Sequence, residues 1–292
     1  MSLTDRIRRD HPQFDMLTEE LQRFDSGDTG ERYIHTLLQE EFGSTLHHFS
    51  TLRLDYDEID LISVADKSVF LFEIKNIRGN VHIKEHPAQL IRTTDDGQVD
   101  TFKSPMSQLE MNTLKLRRFL DDHAISMPIY SAIIFAFNNA IITTDTNRYP
   151  IYIGRDVLRF VWQHHASNAQ PNENVVQLLT AQQKQQHYLP KLAKFKLTMN
   201  DFRTGVFCPA CNFLPMIRKR GKWHCPHCQH IDYHAHTQAL SDYYNLISNK
   251  ITNKQCRHFL HIHDRHDVKQ LLKKHCAAKI SKGRNTTYII KY

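Results

Sequence analysis

No apolar run in the 292 residues approaches the ~20 needed to cross a bilayer. The N-terminal MSLTDRIRRDHPQFD has no apolar stretch behind its charges, so it lacks the pattern of a secretory leader. A soluble, cytoplasmic protein with no membrane partner is expected. Cysteine is scarce: six residues in a chain this long do not make a disulfide scaffold. Four of them fall in two CxxC pairs, and Cys256 and Cys276 stand apart and read as buried thiols. Glutamate is missing beyond residue 200, where 16 Lys+Arg face five acidic residues, all Asp. Residues 1–200 hold 22 Lys+Arg against 26 Asp+Glu, so the net charge of +7 arises entirely in the tail. A basic tail on a mildly acidic body suits a polyanion, nucleic acid first. A merely solvated basic surface is the alternative. No internal repeat is present.

With 40% hydrophobic residues the chain can bury real cores, and its length suggests two or three domains. Residues 16–24 have the spacing of a short amphipathic helix, broken by Asp25-Ser26-Gly27-Asp28-Thr29-Gly30. A second helix is expected over 31–42, with Ile34, Leu37, Leu38 and Phe42 on one face. Strands follow at 48–54, 59–64 and 68–74, the last apolar on both sides like a central strand. Residues 80–104 alternate polar and apolar and predict an antiparallel meander. A helix over 105–120 opens with proline. Further strands are expected at 129–136 and 151–153, and a short helix at 157–162. The Gln/Asn-rich stretch 166–205 reads as a linker containing some helix.

The spacing C-x2-C-x13-C-x2-C joins Cys208, Cys211, Cys225 and Cys228. Each CxxC turn aims two thiolates at one point, and two turns complete a tetrahedron around one structural Zn²⁺. A redox dithiol, the competing reading, uses a single CxxC. His224, His227 and His230 are neighbouring competitors as ligands. The intervening residues predict a β-hairpin turning at Arg220-Gly221. Arg218, Lys219, Arg220, Lys222 and Trp223 on it would suit a nucleic-acid surface, or Trp223 packs over the metal site.

Glu73 and Lys75 lie two apart on the central strand and therefore share a face. Charges on a buried strand normally have partners. Pairing Leu61 with Phe72 in a hairpin would bring Asp60 beside Glu73. Two carboxylates and an ammonium are then either an inter-strand salt bridge or a site for Mg²⁺ and phosphoryl chemistry. Asp55, Asp57 and Glu58 crowd Asp60 as rival ligands; Asp60 is preferred because the apolar strand follows it directly.

Gly30-Glu31-Arg32-Tyr33, Glu58-Ile59-Asp60-Leu61, Phe72-Glu73-Ile74-Lys75-Asn76 with Gly79, and Ser104-Pro105-Met106-Ser107-Gln108 occur in that order. Together they resemble the nuclease-related domain, NERD, a branch of the PD-(D/E)xK nuclease superfamily, over residues 26–165. The resemblance implies an α/β restriction-endonuclease-like core, a mixed sheet flanked by helices. It implies that Asp60 and Glu73 bind Mg²⁺ or Mn²⁺ and that Glu31 assists with the metal or its waters. Lys75 would be the catalytic lysine, Gln108 would contact the site or the nucleic-acid backbone, and Asn76 is a weaker candidate.

Behind the core the sequence predicts a four-Cys zinc ribbon over 206–232 and a third unit over 240–292. In that unit Thr252 and Gln255 form a capping box, and Asp264 caps a helix over 265–276. Strands over 277–281 and 286–292 flank a basic turn. The order helix, helix, basic hairpin, and the ending SKGRNTTYII, resemble an α+β winged helix. That resemblance puts Lys269, Lys273 and Lys274 on the recognition helix and Lys282 and Arg284 on the wing. Lysines favour phosphate contact over base reading, so DNA binding should be salt-sensitive and weakly selective; protein contact is the alternative use. The function expected is a Mg²⁺-dependent nuclease acting on DNA and delivered by its C-terminal modules. The alternative is a non-catalytic nucleic-acid-binding or regulatory protein using the same parts.

Overall fold

Strand β3 (Val69–Lys75) is the axis of the first unit, and its sequence explains why. Val69, Phe70, Leu71 and Phe72 are all fully buried. Each such side chain contributes about 1.5–3 kcal/mol of burial free energy, enough to hold a strand that ends in charge. The computed structural model describes residues 3–55, 57–165, 168–185, 190–280 and 286–291. It divides into two compact units, Asp25–Gln186 and Met1–Phe24 with His187–Tyr292. Among the described residues, no helix is long and apolar enough to cross a membrane.

In the unit Asp25–Gln186, β1 (His47–Leu54), β2 (Asp57–Val64) and β3 pair antiparallel. β7 (Ile129–Phe135) and β9 (Ile151–Ile153) then add in parallel, giving the mixed order β1-β2-β3-β7-β9. The β2–β3 hairpin runs from Val64↔Val69 to Leu61↔Phe72, the register expected from sequence. One face carries Leu61, Phe70, Phe72, Ala132 and Ile134 against α1 (Phe14–Phe42) and α3 (Asp156–His164). The other carries Ile62, Val64, Val69, Leu71, Ile133 and Phe135 against α2 (Pro105–Asp122) and α4 (Glu173–Gln185). These mixed α/β layers fit a nuclease-like core.

The meander β4 (Gly79–Lys84), β5 (Gln89–Thr93) and β6 (Val99–Lys103) forms as expected. It belongs to a second sheet, ordered β6-β5-β4-β8, in which β8 (Ala140–Thr144) runs parallel to β4. The β8 pairing is long-range and leaves no local sequence signal.

Two expectations change. The break at 25–30 is absent, and α1 is continuous through it. Gly30 serves packing instead: a Cβ there would lie 3.0 Å from Asn76 Cβ and 3.2 Å from Ala136 Cβ, so the missing side chain lets the helix sit on the strand ends. Thr29 returns its hydroxyl to the Asp25 carbonyl at 2.7 Å, which keeps it compatible with a helix. The stretch 166–205 is more ordered than a linker. Val175 and Leu179 of α4 are buried in the core, and Gln182 donates to the Arg53 carbonyl. Leu192 and Phe202 are buried in the other unit with Ile7, Leu17 and Leu21.

That other unit contains the hairpin β10 (Ile217–Lys219) and β11 (Lys222–His224), extended by β12 (Ile231–Asp232). Its turn is Arg220-Gly221, both at positive φ, as a tight two-residue hairpin requires. The hairpin is followed by α5 (Ala235–Leu246), β13 (Lys250–Thr252), α6 (Asn253–Leu260), α7 (Arg265–His275), β14 (Cys276–Lys279) and β15 (Thr287–Ile290). The three strands form an antiparallel sheet ordered β13-β15-β14. Thr252 and Gln255 make the expected capping box, and Asp264 accepts from the Asp267 amide. α5 and β13 were not foreseen; α5 has an irregular apolar pattern because it buries polar His236 and Asp242.

Buried Arg6 anchors the N-terminal segment within this unit. It donates to Asp242 at 2.7 Å and to the Gly205 carbonyl, and its guanidinium lies 4.5 Å from the Phe207 ring centroid.

Candidate active site and cysteine centre

Continuing the inward face of β3 past Val69 and Leu71 places Glu73 and Lys75 on the same side. The Glu73 side chain is 2% exposed, and Lys75 Nζ donates to its Oε1. Asp60 on β2 lies just beyond the last hairpin pair and accepts the backbone N–H of Ile74 at 2.7 Å. That bond fixes Asp60 against β3. Behind it, buried Asn112 of α2 donates to the Glu58 carbonyl and braces β2. A polar residue on an otherwise apolar helix face was the sequence signal for Asn112.

Burial raises the Asp60 carboxyl well above its ordinary range, and the charges of Glu73 and Glu31 push the same way, with Lys75 opposing. Burial works against the Lys75 ammonium, but Glu73, Asp60 and Glu31 outweigh it and the net shift is upward. The structure therefore brings Glu31, Asp60, Glu73 and Lys75 into one electrostatic cluster. Three carboxylates bear on the Lys75 ammonium there, more acid than this one cation balances. That imbalance, and a donor set of hard oxygens, fit a divalent cation of the Mg²⁺ type. Gln108 sits in the first turn of α2, and its side chain makes no hydrogen bond to the four. Asn76 is a strut: its amide donates to the Ser26 carbonyl at 2.9 Å. Among the rivals of Asp60, Glu58 is held by Arg53 at 2.6 Å, Asp55 lies exposed in a turn at positive φ, and the Asp57 side chain is outside the described residues.

Cys208, Cys211, Cys225 and Cys228 bring one Sγ each within 4.8 Å of one another. Among the described residues no other group of three or more candidate ligands does so, and the three carboxylates stay wider. Cys208–Cys228 and Cys211–Cys225 are each 3.6 Å apart, close to the ~3.8 Å edge of a tetrahedron with ~2.3 Å metal–sulfur bonds. The cluster could hold a zinc ion with no position left for water. His224, His227 and His230 are not part of it.

Trp223 is fully buried and donates to His236 Nδ1 at 3.1 Å, so the packing reading holds and it offers no surface for nucleic acid. Arg218 is also largely inside, its guanidinium 5.2 Å from the Trp223 ring centroid. On α7, Val268, Leu271 and Leu272 are buried while Lys269, Lys273 and Lys274 are exposed. Lys282 and Arg284 lie outside the described residues.

A mixed sheet flanked by helices, with acids and a lysine gathered at the end of its central hairpin, fits a nuclease-like core. Residues 26–136 match the family model of the nuclease-related domain, NERD. No curated protein and no solved structure matches the chain.

Proposed function

We propose that the chain is a divalent-metal-dependent nuclease that hydrolyses DNA phosphodiester bonds at the Glu31–Asp60–Glu73–Lys75 cluster. The observation that carries this reading is the buried excess of carboxylates around Lys75, inside a segment that matches a nuclease-related family. Asp60 and Glu73 would hold Mg²⁺ or Mn²⁺, which when bound lowers the pKa of a water and neutralises phosphoryl charge. Lys75, kept protonated by its acidic neighbours, orients the attacking water and stabilises the charge that develops on phosphorus-bound oxygen. Glu31 supplies a further acceptor that can fix a water by hydrogen bond. Gln108 is assigned to the nucleic-acid backbone.

The C-terminal order α5-β13-α6-α7-β14-β15, with its β13-β15-β14 sheet, supports a winged helix. In this reading α7 is the recognition helix, its lysines meet phosphates, and Lys282 and Arg284, outside the described residues, are assigned to the wing. Zn²⁺ at the four cysteines is structural and stabilises the ribbon beside it.

The test is incubation of plasmid and oligonucleotides with the full chain in Mg²⁺ and in EDTA. Cleavage is expected only in Mg²⁺, falling by about a thousandfold or more in Asp60→Ala and Lys75→Ala. Cleavage that persists in both variants contradicts the site. Binding without cleavage in any divalent metal favours the non-catalytic reading.

A further inference from the structure

We infer that a cavity lined from α1 and from the segment that follows β3 is the subsite for one nucleotide of the substrate strand, with Arg78 and Arg92 taking its phosphate and Phe137 its base. The inference rests on the nuclease reading for the identity of the strand, but the cavity stands on its own geometry. It has a volume of about 590 Å³, room for a nucleotide-sized group, and its lining includes Thr29, Asn76, Arg78, Arg92, Phe137 and Asn139.

Its place in the chain is telling. Asn76 directly follows Lys75, and Thr29 precedes Glu31 by two residues, so the cavity and the cluster are built from the same helix α1 and the same end of β3 by different residues. Its walls are built. The Asn76–Ser26 hydrogen bond and the close approach at Gly30 fix one side. Asn139 fixes another: the Phe137 and Ile77 carbonyls, 3.2 and 3.0 Å away, assign its amide the orientation in which its nitrogen donates to both. Gly79, at φ +98°, presses the chain onto the end of β5, where a Cβ would lie 2.7 Å from the Thr93 carbonyl oxygen. No other residue type fits that approach, and it is what sets Arg78 and Arg92 around one space.

The chemistry of the lining selects the ligand. Two arginines, Arg78 and Arg92, line the cavity and no Asp or Glu does. Arg92 is oriented by Asp100 and by the Phe102 ring, 5.6 Å from its guanidinium. Arg78 is exposed and has no ion pair among the described residues. A guanidinium fork of this kind matches phosphate oxygens. Phe137 lies against Tyr33 at 4.9 Å between ring centroids, a rigid aromatic platform that suits a nucleobase. A phosphate joined to a planar base satisfies all of these groups. A strand segment and a free mononucleotide share that chemistry, and the use of α1 and the end of β3 by both the cavity and the acidic cluster favours the strand.

The experiment measures anisotropy of a labelled single strand of about ten nucleotides with no added divalent metal and no chelator, so that no cleavage intervenes and the thiolate centre is left undisturbed. The full chain carries Lys269→Ala, Lys273→Ala and Lys274→Ala to remove the C-terminal contribution. Adding Arg78→Ala should weaken binding about fivefold or more and flatten the log–log salt dependence by about one. Arg78→Lys should keep the salt slope while losing affinity, and Arg92→Lys, which retains a partner for Asp100, should weaken binding without lowering the melting temperature. Unchanged affinity and slope in Arg78→Ala overturns the subsite. So does displacement of the strand by a mononucleotide at comparable concentration, which would make the cavity a free-nucleotide site. If the natural chain cleaves in Mg²⁺ and Arg78→Ala binds normally, the subsite alone fails. If it never cleaves but Arg78→Ala loses the strand, the nuclease reading alone fails.

Discussion

The cysteine quartet gathers four donors within 4.8 Å of one another, whereas Glu31, Asp60 and Glu73 stay wider apart and lean on one lysine. The thiolates match a metal that prefers four soft ligands and leaves nothing to react. The carboxylates match one that keeps several waters, and Asp60 sits where burial and like charge make its ionised form costly. In the proposed reading the first arrangement stabilises its unit, and the second holds negative charge that a divalent cation can relieve. In that reading, one chain holds a closed centre for folding and an open one for chemistry.

Removing the closed centre should have the largest effect. Structural zinc contributes on the order of 10 kcal/mol to small domains. Cys208 and Cys225 share a core with Trp223, Tyr243 and Phe259. Cys208→Ser, or a strong chelator, should therefore expose the amides of β10, β11 and α5 to hydrogen exchange while those of β3 and β7 stay protected. Equal loss of protection in both units would break the comparison.

Next comes the Arg6–Asp242 pair, whose side chains are 1% and 6% exposed. Asp242→Ala leaves a buried guanidinium uncompensated and should cost about 3–5 kcal/mol by denaturant unfolding. A loss under ~1 kcal/mol would mean that the pair is solvated.

How much of this was legible in advance differs between the two centres for a physical reason. The CxxC turns are local: three residues fix each pair of thiolates, and only one further pairing completes the site. The acidic cluster needs α1, β2 and β3 at once. The residues Asp60, Glu73 and Lys75 and the Leu61↔Phe72 pairing could be read from strand periodicity, but Glu31 and Gln108 needed the family likeness. Gly30 misled because a glycine used for close packing and one used to stop a helix look alike in sequence. The β4–β8 pairing, the buried Arg6 and the cavity arginines depend on distant contacts that no local pattern encodes.

A smaller effect separates the units by pH. Burial first, then the neighbouring His275 and Arg218, lower the pKa of His236 from 6.5 to about 4. The unfolded chain therefore binds a proton near pH 6.5 that the folded chain refuses until about pH 4. Stability from this group is complete above 6.5 and is lost as pH falls toward 4, by up to about 3 kcal/mol. His236→Gln should flatten that dependence in thermal melts; an unchanged slope would exclude His236 as its source.

The smallest effects belong to the exposed lysines of α7. Each of Lys269→Ala, Lys273→Ala and Lys274→Ala should weaken duplex binding by about 1 kcal/mol, uniformly across sequences, with the salt slope falling by about one. Sequence-dependent losses would instead mark base contacts.

The central claim is that the acidic cluster is an open metal site. Titration of the full chain with Mn²⁺, read by the loss of the free-ion electron paramagnetic resonance signal, tests it without requiring turnover. The account predicts uptake of Mn²⁺ by the natural chain that is abolished by Glu73→Gln and by Asp60→Asn, with the thiolate centre left intact. Mn²⁺ uptake that is unchanged in both variants, or absent from the natural chain, would contradict it.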